Sequence, residues 1–134
     1  MTTKTDIPKA QMTDAELRAT RENLGMPIRE LAQVLNVPED SLTSMEHGNI
    51  PVGYDIAVKL RKVEQVTDDY LDRLSDESQK RGFIETYRFN AEMAARVPEL
   101  SSFGSMWHRN CALRVQYEIN LPMRYPPRAQ RIVI

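Results

Sequence analysis

The sequence predicts a mainly α-helical protein, in which an N-terminal domain of four to five helices precedes a small α+β domain with a short sheet. Between residues 13 and 80, apolar side chains recur with the spacing of amphipathic helices, and glycine or proline separates the segments. After Gly82 aromatic and β-branched residues alternate, which is typical of a strand. With 134 residues, 41% of them hydrophobic, the chain suits one or two small domains rather than a large multidomain enzyme.

The sequence also predicts a cytoplasmic protein. No apolar run approaches the roughly 18 residues that span a bilayer, and the first residues lack the apolar stretch of a secretory signal. The single cysteine, Cys111, has no partner for an intramolecular disulfide. We therefore expect no membrane association and no need for an oxidising compartment.

Recognisable end signals delimit the first two helices. Thr13 is placed to cap the first helix, with Glu16 in the reciprocal position of a capping box, and Gly25 supplies the stop. The second helix follows Pro27 and ends at Asn36. Its buried stripe has the spacing i, i+3, i+4, i+7 and consists of Ile28, Leu31, Ala32 and Leu35.

A third helix follows almost immediately. Pro38 opens it and Gly48 ends it. Glu39 and Asp40 occupy its first turn, where carboxylates favour the positive end of the helix dipole. Only residues 36–38 separate it from the second helix, and two short helices joined so tightly form a helix-turn-helix.

Residues 54–80 have a helical pattern that fits either one helix or two. The apolar positions of this pattern are Ile56, Leu60, Val63, Tyr70, Leu71 and Leu74. Thr67, followed by two aspartates, is as good an N-cap as it is part of a solvated face. We favour two helices with a joint at Thr67.

The C-terminal part combines strands with helices. Residues 83–89 are predicted to form a strand, and residues 131–134 a terminal strand that pairs with it. Asn90 is expected to cap a short helix that ends before Pro98. A further helix over residues 105–119 carries most of its apolar residues on roughly one side, and an extended, proline-rich segment follows it.

Several short motifs between residues 17 and 51 keep a common register. They are Leu17-Arg18 with Arg21 and Leu24-Gly25, then Arg29-Glu30-Leu31-Ala32, Val37, Met45-Glu46-His47-Gly48 and Pro51. This pattern resembles the Cro/CI-type (xenobiotic-response-element) helix-turn-helix family over about a quarter of the chain. The resemblance implies that the third helix lies in the major groove of DNA while the second crosses the phosphate backbone.

The function implied by this resemblance is that of a phage or bacterial transcription regulator. Such a protein binds a double-stranded DNA operator sequence-specifically as a homodimer and acts as an (auto)repressor. Two recognition helices held about 34 Å apart read both halves of a palindrome. The candidate DNA-binding residues are Arg18, Arg29, Glu39, Asp40, Ser41, Thr43, Ser44, His47 and Asn49.

The resemblance also implies a structural ion pair between Arg21 and Glu46, linking the first helix to the end of the third. The alternative is that these are two unrelated surface charges. Other positions depart from the family: Pro27-Ile28 stand where Ser or Thr followed by Gln is usual, and the acidic pair Glu39-Asp40 opens the third helix. These departures favour an alternative function, in which the helix-turn-helix is a protein-binding scaffold of an antitoxin or antirepressor.

The segment from Met106 to Val115 resembles the Trp-His-Arg-containing helix of small autoregulators of the anti-CRISPR-associated kind. This second resemblance implies a dimerisation domain, with Trp107 either at the interface or in the intramolecular core. The predicted dimer contacts are Phe83, Tyr87, Trp107 and Val115. Three arginines of the proline-rich tail are expected either to contact phosphates or a minor groove of DNA, or to belong to a solvated edge or interface segment: Arg124, Arg128 and Arg131.

Catalytic and metal-binding motifs are poor. The sequence has no Gly-rich phosphate loop, no Gly-x-Ser-x-Gly elbow and no His-Glu-x-x-His motif. His108 and Cys111 are three residues apart on a helix, but a closed zinc site needs two further ligands. We therefore expect neither an enzyme, a cofactor nor a metal site.

The distribution of charge along the chain is more informative than the net charge of −1. Residues 67–82 hold five acidic and three basic side chains, whereas residues 83–134 hold four acidic and seven basic ones. The predicted organisation is a flexible N-terminus (1–12), a helix-turn-helix domain (13–66), an acidic helical connector (67–82) and an α+β dimerisation domain (83–134).

Overall fold

Helices dominate the computed structural model, which describes residues 12–128. In chain order the elements of this range are α1 (Asp14–Leu24), α2 (Ile28–Leu35), α3 (Glu39–Glu46), α4 (Tyr54–Arg81), β1 (Ile84–Glu85), α5 (Asn90–Arg96), a 3₁₀ helix (Pro98–Phe103), α6 (Ser105–Ile119) and β2 (Met123–Arg124). The prediction of a mainly α-helical fold with one short sheet is confirmed. No helix in the described range is both long and apolar enough to cross a membrane.

The predicted ends of the first two helices are confirmed. The Thr13 hydroxyl accepts a hydrogen bond from the Glu16 amide at 3.1 Å, and the Glu16 carboxylate accepts one from the Thr13 amide at 2.9 Å, which lowers the pKa of Glu16. At the end of α2, Asn36 adopts a left-handed conformation with φ 56°. The Val37 amide then donates to the Ala32 carbonyl at 2.9 Å, which closes the helix.

The predicted joint at Thr67 is wrong, because α4 runs unbroken through it for 28 residues. Thr67 is 1% exposed, and its side chain points into the core instead of capping a helix. Its hydroxyl donates to the Val63 carbonyl one turn earlier, at 2.8 Å, and accepts from the Trp107 indole N–H at 3.1 Å. The threonine therefore joins the middle of α4 to α6.

The sheet is shorter than the predicted strand over residues 83–89. β1 and β2 pair in parallel, with Ile84 opposite Met123. The Ile84 amide donates to the Pro122 carbonyl at 2.8 Å, and the Thr86 amide to the Arg124 carbonyl at 2.9 Å. Prolines precede and follow β2 and have no N–H to extend the ladder. The predicted terminal strand over 131–134 lies outside the described residues.

The prediction that Asn90 caps the short helix α5 is wrong, because Phe89 occupies the N-cap position. The Asn90 side chain joins two other elements instead. Its carbonyl oxygen accepts from the Ser105 amide at the start of α6 at 2.8 Å, and its amide donates to Glu30 of α2 at 3.0 Å. The short helix therefore begins at a residue that ties α2 to α6.

The buried apolar residues form one cluster that takes members from both predicted domains. Leu17 of α1, Leu31 of α2, Leu42 of α3, Leu60 of α4 and Trp107 of α6 are all fully buried. The predicted boundary between residues 66 and 67 falls inside α4, whose second half packs on α6. A shared core of this kind fixes the orientation of α1–α3 relative to the C-terminal elements.

A polar network lies inside this core, where α4, α6 and the residues after β1 meet. His108 is fully buried, and both of its ring nitrogens have partners. The Tyr70 hydroxyl lies 2.6 Å from Nε2, and the Thr86 hydroxyl lies 2.8 Å from Nδ1. Burial lowers the pKa of His108 to about 4, with a smaller contribution from the charge of Arg109.

Candidate nucleic-acid interface

The outer face of α3 carries the candidate base-contacting residues. Leu42 and Glu46 point inward and are buried, so the side chains on the opposite face remain accessible. Glu39, Asp40 and His47 are exposed. Ser41, Thr43 and Ser44 are half-buried, and Asn49 is exposed in the loop after the helix. The face therefore offers hydroxyl, amide, imidazole and carboxylate groups.

An ion pair holds α3 against α1, as the resemblance to the helix-turn-helix pattern implies. Arg21 Nε lies 2.6 Å from Glu46 Oε2, and Arg21 Nη2 lies 2.9 Å from Oε1, which is a bidentate pair. The Glu46 side chain is 4% exposed and that of Arg21 is 15% exposed. Arg21 Nη1 also donates to the Met26 carbonyl at 3.1 Å. The hydrogen bonds to Glu46 raise the pKa of Arg21. Together with the bond to Met26, they fix α1, α3 and the loop before α2 relative to one another.

The end of α3 is held close to the start of α1. Gly48 follows the helix with φ +75°, a left-handed conformation that favours glycine. A side chain there would meet the carboxylate of Asp14, which lies 2.8 Å from the position that a Cβ would occupy. The loop that carries Asn49 therefore leaves α3 in a direction that depends on a glycine.

The two candidate phosphate contacts lie outside α3. Arg18 on α1 is exposed and forms a loose pair with Glu22 at 3.8 Å. Arg29 is exposed in the first turn of α2. Exposed pairs of this kind contribute little to stability, so both guanidinium groups are accessible to a phosphate.

The electrostatics of α3 differ from those of a helix that binds phosphates at its N-terminus. The N–H groups at a helix start attract anions, and here Glu39 and Asp40 occupy that place. Pro38 is the N-cap and makes no side-chain capping bond. The chemistry available in this turn is hydrogen-bond acceptance, which matches the amino group of cytosine better than a phosphate.

Three of the four predicted dimer contacts are unavailable to a partner. Trp107 is 0% exposed, Val115 2% and Tyr87 4%, all within a single chain. The Trp107 ring lies tilted against the Tyr70 ring, with centroids 5.2 Å apart, and meets the Phe103 ring edge-on at 4.9 Å, so it belongs to the intramolecular core. Only Phe83 is partly accessible, and Arg124 covers its ring at 5.3 Å.

The proline-rich tail is partly bound to the rest of the chain. Arg88 donates to the Pro126 carbonyl at 2.8 Å and lies over the Tyr125 ring at 4.7 Å. Arg124 and Arg128 are exposed, and Arg131 lies outside the described residues. The two described arginines are therefore accessible at the end of the protein that carries β2.

The metal ligands considered from the sequence, His108 and Cys111, are both buried. The ring nitrogens of His108 are already hydrogen-bonded, and burial raises the pKa of the Cys111 thiol to about 12. Within residues 12–128, no three His, Cys, Asp or Glu side chains are close enough to share a metal ion.

Comparison with known proteins finds no matching family model and no similar curated protein.

Sequence reasoning missed the side chains that position the elements around the candidate interface. Lys59 of α4 donates to the Leu35 carbonyl at the end of α2, at 3.1 Å. Asn110 of α6 donates to the Asn23 carbonyl near the end of α1. Thr67 also joins α4 to α6, and its burial could have been predicted from the sequence, because it falls between Val63 and Tyr70 on the buried stripe of α4.

Proposed function

We propose that the protein is a sequence-specific DNA-binding transcriptional regulator that acts as a dimeric (auto)repressor, with α2 and α3 as its helix-turn-helix. The observation that carries the proposal is the bidentate pair between Arg21 and Glu46. The pair joins α1 to the end of α3 and lies at the two positions where the helix-turn-helix pattern implies a structural ion pair. The pair leaves the outer face of α3 and the side chains of Arg18 and Arg29 accessible.

In this proposal α3 enters the major groove, and the exposed arginines contact phosphates on either side. Thr43, Ser44, His47 and Asn49 provide neutral or weakly basic contacts to base edges. Glu39 and Asp40 accept hydrogen bonds from cytosine and repel phosphates. The protein therefore depends more on base contacts, and less on charge, than a basic recognition helix does.

A protein-binding module is the second candidate function. The acidic first turn of α3 favours it, because exposed Glu39 and Asp40 suit a basic protein surface as well as they suit a base edge. The same scaffold would then present α3 to another protein instead of DNA.

A mobility-shift experiment with DNA from the protein's own promoter separates these two functions. Protein titrated into promoter DNA should give a discrete complex that excess non-specific DNA does not remove. Arg29→Gln should weaken the complex, because the proposal assigns a phosphate contact to the exposed Arg29. Arg61→Gln, at an exposed arginine on α4, is the matched control. Equal affinity for promoter and unrelated DNA would contradict sequence-specific binding, and absence of any complex would favour the protein-binding function.

The double replacement of Glu39 and Asp40 by Gln should change affinity and specificity in opposite directions. Removing two negative charges strengthens binding to any DNA, because phosphate attraction is independent of sequence. Each Gln keeps one acceptor oxygen but replaces the other with an NH₂ donor. The contacts then no longer favour the amino group of cytosine alone, and the choice at the contacted base relaxes by about 1–3 kcal/mol. Titrations of operator and unrelated DNA at one salt concentration measure both effects. Unchanged binding to both DNAs would show that α3 does not enter the groove.

The dimer of this proposal uses exposed apolar residues in place of the buried ones predicted. Met106, Leu113 and Tyr117 lie along one outer face of α6 and are 47%, 39% and 79% exposed. Leu113→Glu should therefore shift the full-length protein from dimer to monomer in sedimentation velocity. Val58→Glu is the matched control, because Val58 is 44% exposed on α4. A dimer that survives Leu113→Glu would place the interface elsewhere.

A further inference from the structure

A cavity of about 150 Å³ lies between the second half of α4, the region of β1 and the end of α5, away from α3. Its buried lining includes Tyr70, Leu74, Ser78, Tyr87 and Val97. A cavity of roughly this volume in another protein accommodates a benzene molecule. The space is therefore large enough for a small organic molecule and too small for a nucleotide.

Two arginines at this cavity share a single carboxylate. Arg81 Nη1 lies 3.5 Å from Glu85 Oε2, and Arg96 Nη1 lies 3.8 Å from Glu85 Oε1. Charge-assisted hydrogen bonds are about 2.7–2.9 Å long, so neither guanidinium is tightly bound to Glu85. Their side chains are 48% and 53% exposed, whereas that of Glu85 is 12% exposed. One carboxylate thus balances two positive charges.

The other charged groups of the cavity are engaged more closely. Arg73 donates to Glu99 at 2.6 Å and to Glu77 at 3.0 Å, which raises its pKa. Glu85 accepts a hydrogen bond from the Tyr87 hydroxyl at 3.1 Å. Among the residues that the structure describes, Arg81 and Arg96 are therefore the two lining cations that form no close side-chain hydrogen bond.

We propose that this cavity binds a small organic anion whose single carboxylate or phosphate group bridges Arg81 and Arg96. The planar guanidinium groups offer paired N–H donors that match the oxygens of either group. The rest of the ligand occupies the space beside Tyr87 and Leu74. The site is independent of the proposed DNA-binding function, because it uses no residue of α1–α3.

The test is a titration of the full-length protein with benzoate and, separately, with inorganic phosphate at constant ionic strength. Amide chemical shifts near residues 81–97 report binding directly. Saturable shifts are expected, and Arg81→Gln or Arg96→Gln should weaken binding about ten- to a hundredfold. Arg61→Gln should leave the affinity unchanged, because Arg61 lies on the same helix outside the cavity and pairs with Glu64.

Two variants keep the experiment decisive. Arg81→Lys and Arg96→Lys retain the charge but lose the fork, so affinities between those of the wild type and the Gln variants support a bridged anion. Equal weakening by Arg61→Gln would overturn the site, because it would reveal a general charge effect. Absence of saturable shifts with both probes up to about 10 mM would also overturn it. A protein that does not bind DNA would contradict the proposed function but not the anion site, because the two use different residues.

Discussion

Glu46→Ala is expected to destabilise the protein by about 3–5 kcal/mol, because it leaves the Arg21 guanidinium without its carboxylate partner inside the fold. Both guanidinium bonds to Glu46 are short, at 2.6 and 2.9 Å, and the Glu46 side chain is 4% exposed. Among the described residues, Arg21 then keeps one hydrogen-bond acceptor, the Met26 carbonyl. Since α1, α3 and the loop before α2 meet at this pair, the loss should be felt across the N-terminal helices.

Chemical denaturation of the wild type and two variants measures the effect. Glu39→Ala is the matched control, because Glu39 is an exposed glutamate on the same helix, and its free energy of unfolding should change by less than about 0.5 kcal/mol. Glu46→Gln keeps the shape of the side chain and should still destabilise, since it removes the charge. Equally small effects of Glu39→Ala and Glu46→Ala would contradict a structural ion pair and weaken the motif register on which the proposed DNA-binding residues depend.

The helices before residue 48 were predictable because their ends depend on neighbouring residues. The capping box at Thr13 and the left-handed conformations of Gly25 and Asn36 each involve residues only a few positions apart. Such local structures can be predicted from a short stretch of sequence. The ion pair was predictable for a different reason. Arg21 and Glu46 are 25 positions apart, and only the resemblance to a known helix-turn-helix pattern connected them.

Long-range contacts account for what the sequence did not predict. Thr67 followed by two aspartates is typical of a helix start, but the structure buries Thr67 in the middle of α4, where it accepts a hydrogen bond from Trp107. Asn90 has the composition of a cap, but its partners are Glu30 and Ser105, which lie far away along the chain. Burial of Trp107 likewise depends on the packing of α4 and α6 together, and hydrophobic spacing on α6 is the same for an interface and a core.

His108 illustrates the same limit and has a measurable consequence. Its position on α6 predicted only a helical residue near a cysteine. The structure shows a fully buried imidazole with hydroxyl partners on α4 and after β1, Tyr70 and Thr86. Arg109 is the neighbouring charge on its own helix and donates to the carbonyls of residues 87 and 88. A proton added to His108 would therefore place a charge in the core with no carboxylate beside it among its hydrogen-bond partners.

The stability of the protein should consequently fall as the pH drops from about 6.5, the usual pKa of an unfolded histidine, towards the pKa of about 4 in the folded state. In this window the unfolded chain binds a proton at His108 that the folded chain excludes, so unfolding is favoured by up to about 3 kcal/mol at the acidic end. Denaturation curves collected between these pH values should therefore show a steeper loss of unfolding free energy for the wild type than for His108→Gln, which cannot titrate there.

Two controls isolate the histidine. Carboxylates of lowered pKa, such as Glu92 and Glu99, destabilise both proteins alike in acid, so the difference between the two curves belongs to His108. His47→Gln, at the exposed second histidine, should follow the wild type, and parallel curves for the wild type and His108→Gln would contradict a neutral, buried His108.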